Sequence, residues 1–219
     1  MKTAIFVDGA FFLKCFPKVF PGRDSKNPKV VADELYTMCI KHLADKKKEE
    51  SDLYRIFYYD CPPLLKKVHY PVSKVCFDFA KSETAIFKNN FLEELKRKRK
   101  VALRLGRIQD LDGWVLNADV VKSLLRGERE FKDLTDSDFT YGMRQKQIDM
   151  KIGVDIASVA YKQQAERIVL IAGDADFVPA AKLARREGID FILDPMWKAV
   201  SPDLFEHIDG LKSYCKKRT

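Results

Sequence analysis

The sequence predicts an α/β fold with a mainly parallel central sheet flanked by helices, and three observations carry that expectation. Thr3-Ala4-Ile5-Phe6-Val7 and Arg167-Ile168-Val169-Leu170-Ile171 are short apolar runs rich in β-branched residues, the composition of strands buried on both faces. Each runs out onto acids, Asp8-Gly9 in the first case and Ala172-Gly173-Asp174-Ala175-Asp176-Phe177 in the second. Between and after them, strand-like and helix-like periods alternate, which implies parallel strands joined by right-handed crossovers. With 219 residues, 46% of them hydrophobic and 33% charged, the chain can bury one good-sized core, so residues 1–219 are expected to form a single domain.

Taken in order, the first strand is followed by a segment with Pro17, Pro21-Gly22 and Pro28 that reads as a loop. From about Lys29, Val31, Leu35, Met38, Cys39 and His42 recur at helical spacing. Leu53 to Tyr59 reads as the next strand, and Pro62-Pro63 and Pro71 mark a linker. Ser73 to Lys98 has the spacing of a long helix, with Phe77, Ala80, Phe87, Phe91 and Leu95 on its apolar side. Val101 to Ile108 alternates as one half-exposed strand. The signal weakens over about 110–141, expected to be an insertion, where Trp114-Val115-Leu116 suits an edge strand and Asp133, Asp136 and Asp138 suit a loop. Helix Ile148–Gln163, strand Arg167–Ala172, helix Phe177–Glu187 and strand Ile189–Leu193 complete the pattern.

Composition removes several classes of function. No stretch approaches 18 uncharged apolar residues, and Met1-Lys2-Thr3 leads straight into a strand without a signal-peptide pattern, so a soluble, cytoplasmic protein with no membrane partner is expected. Five cysteines without a C-x-x-C pair argue against a disulfide framework and a thiolate zinc site. His42, His69 and His207 stand far apart, which offers little to an imidazole metal site or a Ser-His-Asp triad. Asp8-Gly9-Ala10-Phe11-Phe12 is too bulky for a dinucleotide-binding G-x-G-x-x-G turn. Ala10 also occupies the place of the second acid in a phosphatase that uses an aspartyl nucleophile. Catalysis is left to the aspartates.

Open α/β sheets bind ligands beyond the carboxyl ends of their strands, and that is where Asp8, Asp174 and Asp176 fall. Carboxylates gathered there repel unless a hard cation sits among them, and oxygen-only ligands suit Mg²⁺ or Mn²⁺. The chemistry this points to is metal-assisted phosphodiester hydrolysis. The helix before the second acidic strand adds Asp149 and Asp155. A strand over 167–173 covers roughly 20 Å, and counting back that distance along an antiparallel helix takes about 13 residues, to the level of Ile152. Asp155 is then level with the site, and Asp149 lies about 9 Å before it and about 120° round the helix. The expected metal ligands are therefore Asp8, Asp155, Asp174 and Asp176, with Asp149 as a rim acid holding outer-sphere water. Each aspartate also has a structural alternative: Asp8-Gly9 suits a strand-ending turn, and Asp174 suits a helix cap.

Ile5-Phe6-Val7-Asp8-Gly9, the segment Lys146-Gln147-Ile148-Asp149-Met150-Lys151-Ile152-Gly153-Val154-Asp155, and Ala172-Gly173-Asp174-Ala175-Asp176-Phe177 together resemble the NYN domains of the PIN-like nuclease superfamily. Tyr58-Tyr59-Asp60 and Leu103-Arg104-Leu105-Gly106-Arg107 are similar to segments of bacterial members. The resemblance implies a PIN-like three-layer fold and a metal-dependent nuclease, most often acting on RNA. It departs at Phe11, where many relatives carry Asn. The rival reading is a catalytically inactive module that binds nucleic acid or protein on the same fold.

A formal charge of +8 points to a polyanionic partner. The cations cluster in Lys46-Lys47-Lys48, Lys96-Arg97-Lys98-Arg99-Lys100 and Lys216-Lys217-Arg218. Lys96, Arg97, Lys98, Arg99, Lys146, Lys151 and Arg185 are the expected nucleic-acid contacts. Sequence alone leaves open RNA against DNA, endo- against exonuclease cutting, and whether two copies pair as a homodimer.

Overall fold

The computed structural model describes residues 1–44 and 51–215. The Lys46-Lys47-Lys48 and Lys216-Lys217-Arg218 runs lie outside the described residues. The chain opens with β1 (Lys2–Asp8), buried from Thr3 to Val7. Asp8 caps the next element, its Oδ1 accepting the Phe11 N–H at 3.1 Å. That element is a helix, α1 (Gly9–Val19), where a loop is expected from sequence. Phe12, Cys15, Phe16 and Val19 form a buried stripe at helical spacing, and that burial outweighs Pro17, which removes a hydrogen bond only near the helix end. Helix α2 (Pro28–Lys41) starts as the sequence suggests, with Asn27 as cap and Pro28 in first position.

Strand β2 (Asp52–Asp60) is followed by a short antiparallel hairpin, β3 (Lys67–His69) with β4 (Cys76–Asp78). The long helix expected over 73–98 is cut to α3 (Glu83–Lys96). Asp78 caps a single 3₁₀ turn, then Ser82 Oγ accepts the Ala85 N–H at 3.2 Å and starts the helix proper. The single strand expected over 101–108 is two, β5 (Val101–Leu105) and β6 (Arg107–Leu116). They part at Gly106, whose N–H binds the Asp60 carbonyl at 2.8 Å and where a Cβ would lie 2.5 Å from the Lys146 carbonyl oxygen. Trp114-Val115-Leu116 belongs to β6, and α4 (Ala118–Leu125) with two 3₁₀ turns spanning Asp133, Asp136 and Asp138 leads to β7 (Phe139–Lys146). Strands β6 and β7 pair antiparallel as a two-stranded ribbon outside the main sheet. The chain ends with α5 (Ile148–Tyr161), β8 (Arg167–Ile171), α6 (Val178–Arg186), β9 (Asp190–Asp194), α7 (Pro202–Glu206) and β10 (Gly210–Leu211).

The main sheet has six parallel strands in the order β10-β9-β8-β1-β2-β5, so the parallel sheet expected from sequence is borne out. From β1 the chain moves outward to β2 and β5, then returns to β8 on the other side of β1. The β1/β8 boundary is thus the topological switch point, where such sheets open a crevice beyond their carboxyl ends. Helices cover both faces. Phe12, Phe16, Leu35, Met38, Tyr58, Phe91 and Leu95 pack one side, and Phe6, Tyr59, Ile152, Ile156, Phe177, Ala181 and Phe191 pack the other. Among the described residues no helix is long and apolar enough to cross a membrane, and all five cysteines are free.

Candidate active site

Several strand ends on the carboxyl edge deliver an aspartate, but the acids have different fates. Asp60, at the end of β2, is fully buried and saturated. It receives Lys88 Nζ at 2.7 Å, the Tyr58 hydroxyl at 3.1 Å and the Cys61 N–H at 2.7 Å. Asp194, at the end of β9, is equally buried and faces His42 Nε2 at 2.9 Å, the Ser213 hydroxyl at 2.8 Å and the Met196 N–H at 2.8 Å. These two hold the frame. Replacing Lys88 with Met is expected to cost about 2 kcal/mol, because a buried carboxylate loses a charged donor while keeping its neutral ones. A drop in the urea midpoint at unchanged m-value would report it.

Asp8, Asp149, Asp174 and Asp176 are different: among the described residues none of them has a cation at ion-pair distance. Asp8 Oδ1 accepts the Phe11 N–H and Asp174 Oδ1 accepts the Asp176 N–H at 3.1 Å, so each caps a helical turn through backbone donors alone. The capping and site roles therefore coexist. Burial pushes the Asp8 carboxyl up to about 6, and the charges of Asp149 and Asp60 add to that. Asp149 is also raised, first by burial and then by Asp174 and Asp176. Asp8 and Asp174 line one cleft and Asp149 and Asp176 border the adjoining groove, and charges that act on one another in this way lie close together, so the end of β1, the start of α5 and the β8 exit border one acidic crevice at the switch point.

Local structure explains the placement. The β7–α5 junction turns through Gln147 at φ 75, a left-handed conformation that strains a residue with a Cβ, and it sets Asp149 in the first turn of α5. Beside Asp8 and Asp174 a cleft of about 610 Å³ is lined by Phe11, Lys14, Gly173 and Lys198. A Cβ on residue 173 would meet the Phe11 ring at 2.4 Å, so glycine there is what lets the aromatic ring reach the second strand exit. Asp149 and Asp176 border an apolar groove between α5 and α6 that includes Met150, Val154 and Leu183.

Asp155 lies elsewhere. Its Oδ2 accepts the Tyr59 hydroxyl at 2.8 Å and Arg104 Nε at 3.0 Å, pinning α5 onto β2 and β5. The count that favoured Asp155 assumes a helix abreast of β8. Helix α5 does begin at Ile148 as expected, but it is its first turn that reaches the crevice, while Asp155, further along, faces Tyr59 and Arg104 of the sheet.

The cations are also redistributed. Lys96 pairs with Glu93, Arg97 with Glu94, and Lys98 with Asp33. The 96–100 run precedes β5, and Arg185, paired with Asp209 at 2.9 Å, precedes β9, so these residues and Arg99 sit at the amino edge of the sheet, opposite the acids. Lys151 Nζ binds the Leu105 carbonyl at 2.8 Å. Lys146 alone of the expected contacts is both exposed and close in chain to the crevice. Sequence reasoning missed Asp60, whose signal was an acid at a strand end like Asp8. It also missed Asp203, Glu206 and His207, whose ligand atoms lie within 4.8 Å of one another through i, i+3, i+4 spacing. No three of the crevice acids converge as closely.

An NYN domain family model matches residues 89–204, more than half of the chain. The chain belongs to the NYN domain family. NYN domains are part of the PIN-like nuclease superfamily, which gives this chain a nuclease-like function and a nucleic-acid substrate class. No curated protein matches. Among solved structures, a protein of unknown function from Vibrio parahaemolyticus is similar at 13% identity with a TM-score of 0.46, covering 96% of this chain and 90% of that one. Such nucleases typically use divalent metals. The crevice fits one chemically: its donors are all carboxylate oxygens, the set that suits a hard cation, and among the described residues they lack cation partners.

Proposed function

We propose that this NYN domain is a Mg²⁺- or Mn²⁺-dependent ribonuclease that hydrolyses phosphodiester bonds of single-stranded RNA. The observation that carries the reading is the set of four acids without cation partners, Asp8, Asp149, Asp174 and Asp176, at the β1/β8 switch point, beside acids that are neutralised. Those four would hold the ion, and the bound ion would supply Lewis acidity and a water of lowered pKa.

The remaining work falls to the chain itself. Asp8 and Asp174 line the cleft, where their carboxylates can orient an attacking water or accept its proton. Lys14 and Lys198, on the same cleft wall, are placed to draw phosphate oxygens toward acids that would otherwise repel them. Phe11 gives that wall an apolar surface on which an unpaired base can stack. The two caps fix the Asp8 and Asp174 side chains before substrate arrives, which lowers the cost of ordering them.

Purified protein incubated with labelled single-stranded RNA or DNA, with Mg²⁺, Mn²⁺ or chelator, tests the proposal. Chelator-sensitive cleavage of RNA is the expected result. Cleavage of neither polymer under any metal would favour the binding-only module, in keeping with Phe11 at the position where many relatives carry Asn.

A further inference from the structure

The β6–β7 ribbon leaves the sheet at its carboxyl edge and is rooted beside the acids. Gly106, at its start, donates to the Asp60 carbonyl, and Gln145, near its end, donates to Asp60 Oδ1 at 3.4 Å. Lys146 precedes Asp149 by three residues, so their α-carbons are within about 11 Å.

One face of the ribbon is covered. Trp114 and Tyr141, cross-strand partners, pack against Tyr70 and Phe79 from the β3–β4 hairpin and its flank, and Trp114 Nε1 donates to the His69 carbonyl at 2.9 Å. Lys66 pairs with Asp110 and Asp112 where the ribbon bulges. The other face is open. There the pairing of Arg107 with Lys146 and of Gln109 with Arg144 puts four exposed side chains side by side. Among the described residues, Arg107, Arg144 and Lys146 have neither an ion pair nor a side-chain hydrogen bond.

Paired positions lie about 5 Å apart across a ribbon and i, i+2 positions about 7 Å apart along it, so three cations rooted at that spacing repel one another. A polyanion lying across them would turn that repulsion into attraction, and it would lead toward the crevice because the ribbon's base adjoins the acids. The hairpin behind the ribbon makes it too thick for a B-form major groove about 12 Å wide, and the A-form major groove is narrower still. A single strand on the open face meets neither obstacle.

We propose that the open face of the β6–β7 ribbon binds the sugar-phosphate backbone of single-stranded nucleic acid through Arg107, Arg144 and Lys146. This deepens the nuclease reading by naming the path of its substrate, but binding itself does not require that the acids cleave. Binding of a labelled single-stranded oligonucleotide is therefore measured in chelator, over a series of salt concentrations. Replacing Arg107, Arg144 and Lys146 together by Gln is expected to flatten the slope of log affinity against log salt by about 2, from about 0.7 per phosphate contact on a single strand. The loss should be the same for every sequence tested.

Arg107→Lys with Arg144→Lys keeps the charge and should restore the slope, which separates electrostatics from misfolding. Lys96→Gln, Arg97→Gln and Arg99→Gln together, at the opposite sheet edge, should leave it unchanged. A wild-type slope in the triple Gln variant of the ribbon, or loss of slope only in the 96–99 variant, would overturn the proposal. Tighter and more salt-sensitive binding of a duplex would overturn the assignment to single strands. Wild-type protein that binds with the expected slope yet cleaves nothing would support the ribbon surface while removing the nuclease reading.

Discussion

Asp8→Asn is expected to lower cleavage by about 10³-fold or more while making the metal-free protein more stable at pH 7. The two effects have one cause. The Asp8 carboxyl titrates near 6 in the fold against an ordinary value of 3.8. Between those values the folded protein holds a proton that the unfolded chain has released, so stability falls as pH rises from about 4 to 6, and above that the whole penalty is present. A shift of that size corresponds to an upper figure of about 3 kcal/mol. Asparagine cannot ionise, yet it remains a good cap for the Phe11 N–H. Urea melts in chelator at pH 4 through 7 should show wild type losing stability across that window and the variant nearly flat. A variant less stable than wild type at pH 7 would assign Asp8 to capping alone.

The second large effect separates the two acids of α5. Asp149→Asn should reduce cleavage by about 10²- to 10³-fold, because it removes a charge from the crevice that Asp174 and Asp176 share. Its fold should be intact, since Asp149 forms no ion pair and no side-chain hydrogen bond among the described residues. Asp155→Asn should instead lower stability by about 1 kcal/mol, through its bonds to Tyr59 and Arg104, and change cleavage by less than about tenfold. Rates under saturating metal together with urea midpoints for both variants read this directly. A larger catalytic loss at Asp155 would return the site to the sheet side of the helix.

What the sequence makes legible follows from how locally each feature is determined. Strands β1 and β8 are buried on both faces, so their runs are continuously apolar and their ends carry visible acids. Helix α1 is hidden because Pro17 is a strong local signal, whereas its buried stripe counts only once a sheet is present to cover it. The difference between Asp60 and Asp8 is invisible in sequence, since it lies in Lys88 reaching one and no cation reaching the other. The same holds for the basic runs. Five cations in a row draw the eye at 96–100, yet chain order through a parallel sheet sends them to the edge away from the acids. Arg107, Arg144 and Lys146 become a cluster only when β6 and β7 pair across residues far apart in the chain.

In the proposed mechanism Asp8, Asp149, Asp174 and Asp176 form one divalent-cation site. It is tested most directly by melting temperature under Mn²⁺ titration, because an ion that binds only the folded protein raises it by mass action. Wild type and Asp155→Asn should both rise with Mn²⁺, Asp149→Asn and Asp174→Asn should respond much less, and His207→Ala should behave as wild type. A Mn²⁺ response that survives Asp149→Asn and Asp174→Asn but disappears in His207→Ala would place the cation at Asp203, Glu206 and His207 instead, and would contradict the account.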